Sequence, residues 1–258
     1  MNILVHDAQV VLLAGGMGKR LGIDTPKCLL GISSNGRTTT LLDICISKLV
    51  HNGFRDFVLL LGYKAELVIE YIKSREEYRG LSIAYSIDPE GSIGWGKGKA
   101  FKYALMNKKI DASRRALVTF PDDILLDDDI YSELLNEHID NVRRGIYSTI
   151  ALVNGIEYPY GTATLQGNII TEFKEKPILN IHTSIGVYAF EPEVYTIIDE
   201  LIDMNSSKVL ELESLIFPRL AEMGRLAAYI IEHDRWLAVN TLKDYEKAVR
   251  ALSQLYGK

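Results

Sequence analysis

The sequence predicts an α/β protein with a doubly wound, mostly parallel sheet, and three observations carry that reading. Short aliphatic runs alternate with helical patterns along most of the chain. The first run, Val10-Val11-Leu12-Leu13, is wholly apolar, as in a strand buried on both faces. Several runs end directly in glycine, proline or aspartate, at the carboxyl edge where such sheets bind ligands.

The elements follow in order. Residues 40–52 begin in a threonine cluster that can cap a helix, carry Leu41, Leu42, Cys45, Ile46, Leu49 and Val50 at helical spacing, and stop at Asn52-Gly53. Strands are expected at 57–62 and 81–87, with a charged helix at 64–78 between them. A glycine-rich stretch, 91–98, leads into a helix at 99–108, and Ala116–Phe120 forms a strand that ends in Pro121-Asp122-Asp123. A helix at 129–143 and a strand at 146–153 follow. Gln166-Gly167-Asn168 then joins 162–165 to 169–173 as a hairpin. Strands at 185–190 and 226–231, and helices at 192–204, 211–223 and 241–256, complete the chain. Right-handed crossovers bring Leu13–Gly18, Asp88 onward and Pro121–Asp123 to one edge.

Composition narrows the class. The chain has 258 residues, 47% hydrophobic and 24% charged, enough for one sizeable core. A net charge of −5 gives no reason to expect the basic face that a nucleic-acid binder would need. Two cysteines, Cys28 and Cys45, exclude a disulfide framework and a four-cysteine zinc site, and the five histidines lack metal-ligand spacing. No apolar run approaches the roughly 20 residues that cross a bilayer, and His6, Asp7 and Gln9 interrupt any leader-like segment. The expectation is a cytoplasmic chain forming a single domain over residues 1–258, with self-association left open.

The most informative segment is Leu13-Ala14-Gly15-Gly16-Met17-Gly18-Lys19-Arg20-Leu21. Glycines after a buried strand let backbone N–H groups approach phosphate oxygens. Arg20 adds a guanidinium fork, and Lys19 or Lys27 a point charge. The bland alternative is a turn with solvated charges. A dinucleotide fingerprint would need glycine at Leu21 and a helix that Pro26 opposes; a Walker loop would need Ser or Thr at Arg20.

This segment, followed by Pro26-Lys27, resembles the signature of the sugar-1-phosphate nucleotidyltransferases, whose pattern is Leu-Ala-Gly-Gly-x-Gly-x-Arg-Leu and then Pro-Lys. The resemblance implies a Rossmann-like catalytic domain with a small β-hairpin insertion for the substrate. It also implies that Leu13, Ala14, Gly15, Gly16 and Gly18 cradle a nucleoside triphosphate while Arg20 and Lys27 lie on its phosphates. The resemblance also implies an expectation that the chain holds that catalytic domain without the C-terminal domain some relatives carry.

Asp122 ends an apolar strand, a natural place for a Mg²⁺ ligand. The resemblance gives Asp122 that role, with Asp123 as second choice; Asp127, Asp128 and Asp129 read as helix-start charges. Glu175-Lys176-Pro177 reads alone as a charged edge closed by proline. It resembles a motif whose Glu takes sugar hydroxyls and whose Lys meets the sugar phosphate. Gly161 matches a glycine that lies against the sugar, and Ser184 stands where Asn is usual.

Two departures matter. A usual second metal aspartate is replaced by Ala238, and Asn240 two residues on is the candidate ligand or, equally, a helix cap. Asp88 occupies the place of a base-reading Gln; ionised, it only accepts, which suits the N3–H of uracil or thymine and equally the N–H donors of guanine, with Glu90 competing. The loop around Gly94, with Lys97 and Lys99, is looser than its counterpart, and its lysines read as phosphate contacts or as solvated charge.

The implied reaction joins an NTP, UTP or dTTP favoured, to a sugar 1-phosphate, glucose 1-phosphate favoured, with Mg²⁺ as cofactor. Alternatives are a same-fold transferase acting on a non-sugar phosphate and, given Ala238, a catalytically impaired nucleotide-sugar-binding protein.

Overall fold

The computed structural model describes residues 5, 7–34, 37–92 and 94–256; His6, and residue 93 of the glycine-rich stretch, lie outside them. The strands are β1 (Ala8–Leu13), β2 (Gly31–Ser34), β3 (Arg37–Thr40), β4 (Asp56–Leu61), β5 (Ser82–Ile87), β6 (Arg115–Thr119), β7 (Asp123–Leu125), β8 (Ser148–Glu157), β9 (Thr162–Gln166), β10 (Ile169–Lys174), β11 (Ile178–Phe190), β12 (Leu226–Glu232) and β13 (Trp236–Ala238). The helices are α1 (Leu41–His51), α2 (Ala65–Ser74), α3 (Gly96–Met106), α4 (Ile130–Val142), α5 (Pro192–Leu201), α6 (Leu212–Glu222) and α7 (Leu242–Tyr256).

Seven strands form the central sheet in the order β12-β8-β11-β6-β1-β4-β5. All neighbouring pairs are parallel except those of β11, which runs against both β6 and β8. The apolar runs lack alternation because both faces are covered. Val10 and Leu12 of β1 join Phe57 and Leu59 in one core, while Val11 and Leu13 join Val58 and Leu60 in the other.

Helix α1 starts where the threonines predicted. The Thr40 hydroxyl accepts from the Asp43 N–H, and the Asp43 carboxylate accepts from the Thr40 N–H, a capping box. Several expectations shift: the strand expected at 146–153 runs on to Glu157, and the helix expected over 192–204 ends at Leu201. The helix expected over 64–78 ends at Ser74 and gives way to a 3₁₀ turn at Glu76–Tyr78, whose Tyr78 hydroxyl turns inward onto Asp43. The helix expected from 99 begins at Gly96, for a reason given below. The strand expected at 185–190 begins at Ile178 and enters the sheet from the carboxyl edge of its neighbours. That reversed direction sets Ser184 and Gly186 beside the end of β6.

The predicted hairpin is β9–β10, an exposed ribbon in which Ile169 faces Gln166 across a two-residue turn with Gly167 at φ 62°. The pairs β2–β3 and β7–β13 have strands too short for a periodicity signal. Helix α7 packs on Ile32, Ile124, Leu237 and Val239 and ties the end of the chain to the sheet's carboxyl edge. No helix among the described residues is long and apolar enough to cross a membrane.

Candidate active site

A cleft of about 1350 Å³ opens at the carboxyl ends of the strands. The three segments expected to converge there do so. Leu13, Ala14, Gly15 and Gly16 form one part of its wall, Asp88 and Gly94 another, and Asp122 its floor.

Glycine eases the close approach at position 15, where a Cβ would lie 3.0 Å from the Gly62 nitrogen. The Gly15 carbonyl accepts from the Tyr63 N–H at 3.2 Å, which fastens the loop to the end of β4. Gly18 adopts φ 66° and starts the 3₁₀ turn Lys19–Leu21. Arg20 is exposed on that turn and lies outside the cleft wall, whereas Lys19 lines it. The chain then folds back, and the Lys27 N–H donates to the Gly16 carbonyl at 3.1 Å. This return explains why the glycine loop and Pro26-Lys27 act as one motif.

The Lys27 ammonium pairs with Asp122 and donates to the Asn240 side-chain oxygen at 3.0 Å. Asn240 reaches this point because β13 pairs with β7, with Ala238 opposite Asp123 and the Val239 N–H on the Asp122 carbonyl at 2.9 Å. The capping role weighed for Asn240 belongs to its neighbour. The Thr241 hydroxyl accepts from the Asp244 N–H at 3.3 Å, and the Asp244 carboxylate accepts from the Thr241 N–H at 2.8 Å. The Asn240 side chain is thereby left to the cleft.

Asp123 also lines the cleft but is engaged by different partners. Its carboxylate is buried, accepts from the Trp236 indole at 2.9 Å, and would collide with a Cβ at Gly186. Burial, and then the negative Asp122, push its carboxyl up to about 7. Among the described residues no three His, Cys, Asp or Glu side chains group to hold a metal. A divalent cation would rely on Asp122, the Asn240 oxygen and substrate phosphates, a hard oxygen set suited to Mg²⁺. The Lys27 ammonium already occupies that set as a cation.

Asp88 ends β5 in the cleft, with its Oδ2 3.3 Å from where a Gly62 Cβ would be. Burial alone raises its carboxyl to about 6. Gly161 packs against the Phe173 ring and the Glu175 carboxylate, and a Cβ there would meet them at 2.3 and 3.0 Å. Glu175 and Lys176, the latter at φ 47°, are exposed beyond the ribbon and lie outside the cleft wall; Ser184 is part of it.

Glu211 and Glu213, which also line the cleft, were not singled out from the sequence. They look there like ordinary acids at a helix start. Their placement depends on packing against residues 95–98: the Gly98 N–H donates to the Leu210 carbonyl at 2.8 Å, and the Lys97 N–H to Glu211 at 3.0 Å.

The nucleotidyl transferase family model matches residues 9–254. The chain belongs to that family. It is 27% identical to a glucose-1-phosphate adenylyltransferase of Thermosipho melanesiensis, over 91% of this chain and 59% of that protein. It is also 27% identical to a mannose-1-phosphate guanyltransferase of Kluyveromyces lactis, over 91% of this chain and 62% of that protein. The chain thus spans about three-fifths of these relatives. The crystal structure of a putative glucose-1-phosphate thymidylyltransferase of Bacillus anthracis, in complex with sucrose, superposes with a TM-score of 0.70, covering 96% of this chain and 95% of that one. At 21% identity that likeness shows the nucleotide-diphospho-sugar transferase fold.

Proposed function

We propose that the cleft transfers a nucleotidyl group from an NTP to a sugar 1-phosphate, giving an NDP-sugar and pyrophosphate. The observation that carries this reading is the convergence of Lys27, Asp122 and Asn240 beneath the glycine loop. A phosphate oxygen of the acceptor attacks the α-phosphorus in line, and the bond from that phosphorus to the bridging oxygen of pyrophosphate breaks. The nucleophile is already anionic, so positioning and charge neutralisation do the work without a general base.

Asp122 and Asn240 would hold Mg²⁺, which when bound neutralises charge on the phosphates. Lys27 and Arg20 would offset charge on the triphosphate. Glu175, with Gly161, would take the sugar, and Lys176 its phosphate.

The finer reading from the motifs is UTP or dTTP with glucose 1-phosphate. Asp88 favours a second reading, GTP. An ionised carboxylate meets two adjacent donors on guanine, but on uracil or thymine it meets one N–H flanked by two carbonyl oxygens. A grid of common NTPs against several hexose 1-phosphates, with Mg²⁺ and pyrophosphate release as the readout, tests all of this. Signal in one cell identifies base and sugar. Silence throughout, with nucleotide binding intact, would overturn the reading in favour of a non-sugar phosphate acceptor or a protein that only binds.

A further inference from the structure

The two lysines of the glycine-rich segment part ways in the fold. Lys99 is 2% exposed, and its ammonium is spent on the Ser206 carbonyl. Lys97 instead lines the cleft. Its ammonium lies 5.1 Å from the centre of the Phe120 ring, pairs with Glu213 and stands 3.7 Å from Glu211.

The backbone fixes Lys97 from both sides. The Leu210 N–H donates to the Trp95 carbonyl at 3.0 Å, and the Gly98 N–H to the Leu210 carbonyl at 2.8 Å. A Cβ at Gly96 or Gly98 would fall 2.6 or 2.8 Å from that same Leu210 oxygen. These glycines therefore admit a neighbouring strand of backbone, and α3 begins among them for that reason.

The sheet order locates Lys97 along the cleft. Asp88 follows β5, Gly62 follows β4, Gly15 follows β1 and Asp122 follows β6, with β11 next in line. The glycine loop and Asp88 thus lie on one side of Asp122. Tyr188, whose hydroxyl donates to Glu213 at 3.1 Å, belongs to β11 on the other side. Given the reaction proposed above, on which this step rests, we infer that Lys97 is a second cation, beside Lys176, on the phosphate of the acceptor, and that Glu213 is the residue that positions it.

One further observation supports this assignment. Glu213 Oε1 takes both Lys97 and Tyr188, while its Oε2 is buried with no hydrogen-bond partner among the described residues. When the phosphate arrives, a further N–H of the ammonium donates to a phosphate oxygen while Glu213 Oε1 keeps its contact, and no proton changes hands.

The test compares wild type, Lys97→Met, Lys97→Arg, Glu213→Gln and the double variant Lys97→Met/Glu213→Gln. Glucose 1-phosphate is the probe acceptor. Lys97→Met is expected to raise the acceptor KM at least tenfold and to lower kcat at least tenfold, with the NTP Kd within twofold of wild type. Lys97→Arg is expected to recover part of the loss. The double variant is expected to stay as impaired as Lys97→Met. Recovery in the double variant would overturn the inference, because Lys97 would then only neutralise Glu213. So would an unchanged acceptor KM, or a loss confined to the NTP Kd. Calorimetry of glucose 1-phosphate with a non-hydrolysable triphosphate present reads the same contact without turnover. A tenfold weaker Kd in Lys97→Met supports the contact even if wild type releases no pyrophosphate, a result that would count against the reaction instead. No binding to wild type would overturn both.

Discussion

Lys27 and Asp122 form an ion pair between loops 95 residues apart, joining the return of the glycine loop to the end of β6. The pair makes the lysine a competitor for the carboxylate that would hold a metal. Lys27→Met is therefore expected to bind Mn²⁺ about tenfold more tightly without nucleotide, the equivalent of about 1.4 kcal/mol. Its affinity for the NTP should fall in parallel. Electron paramagnetic resonance titration reads the first effect and calorimetry the second; unchanged Mn²⁺ affinity would show that the two cations do not share a site.

Asn240 and Thr241 are adjacent but separable. Thr241→Ala removes the cap of α7 and is expected to cost about 1 kcal/mol of stability, with kcat kept. Asn240→Ala should do the reverse, lowering kcat about tenfold, the equivalent of 1.4 kcal/mol, with Tm unchanged. Thermal melts beside steady-state kinetics on both variants check the pair.

Asp88 stores an electrostatic cost. Its folded carboxyl titrates at about 6, above the ordinary 3.8, so the folded state holds the proton more tightly than the unfolded chain. The contribution of Asp88 to stability is then most favourable below about pH 4, falls as pH rises towards 6, and stays at the lower level above. Asp88→Asn is expected to raise Tm above pH 6 and to flatten that slope, as melts across pH 4–8 would show. The amide both donates and accepts. The same variant should therefore lose use of GTP and gain use of UTP, whichever base the wild type prefers.

Gly96 combines φ 78° with a Cβ position 2.6 Å from the Leu210 oxygen. Gly96→Ala is expected to cost at least about 2 kcal/mol. For a domain of this size that is a Tm drop of about 4–8 °C. A melt indistinguishable from wild type would mean that the 95–98 and 210–213 segments are not held together as described.

Much of this architecture was legible in the sequence because buried strands and glycine turns leave local marks. Val10–Leu13 and Gly15-Gly16 announced β1 and its loop, and the threonines before Leu41 announced α1. The reversed course of β11 was not legible, since strand direction depends on pairing partners and leaves no local periodicity. Asn240 was ambiguous for a related reason: a cap and a ligand use the same residue type, and only the Thr241–Asp244 contact separates them. Lys97 and Lys99 read alike in a polar, glycine-rich run. Contacts with residues more than 100 positions away, Glu213 and Ser206, give them different places.

Turnover of wild type and Asp122→Ala, assayed side by side for pyrophosphate release with Mg²⁺, a nucleoside triphosphate and a hexose 1-phosphate, tests the central claim most directly. The expected result is release by wild type and a loss of at least about a thousandfold, or 4 kcal/mol of barrier, in an Asp122→Ala protein whose melt shows it folded. Turnover by the folded variant within a few-fold of wild type would contradict the assignment of Asp122, and with it the account of the cleft.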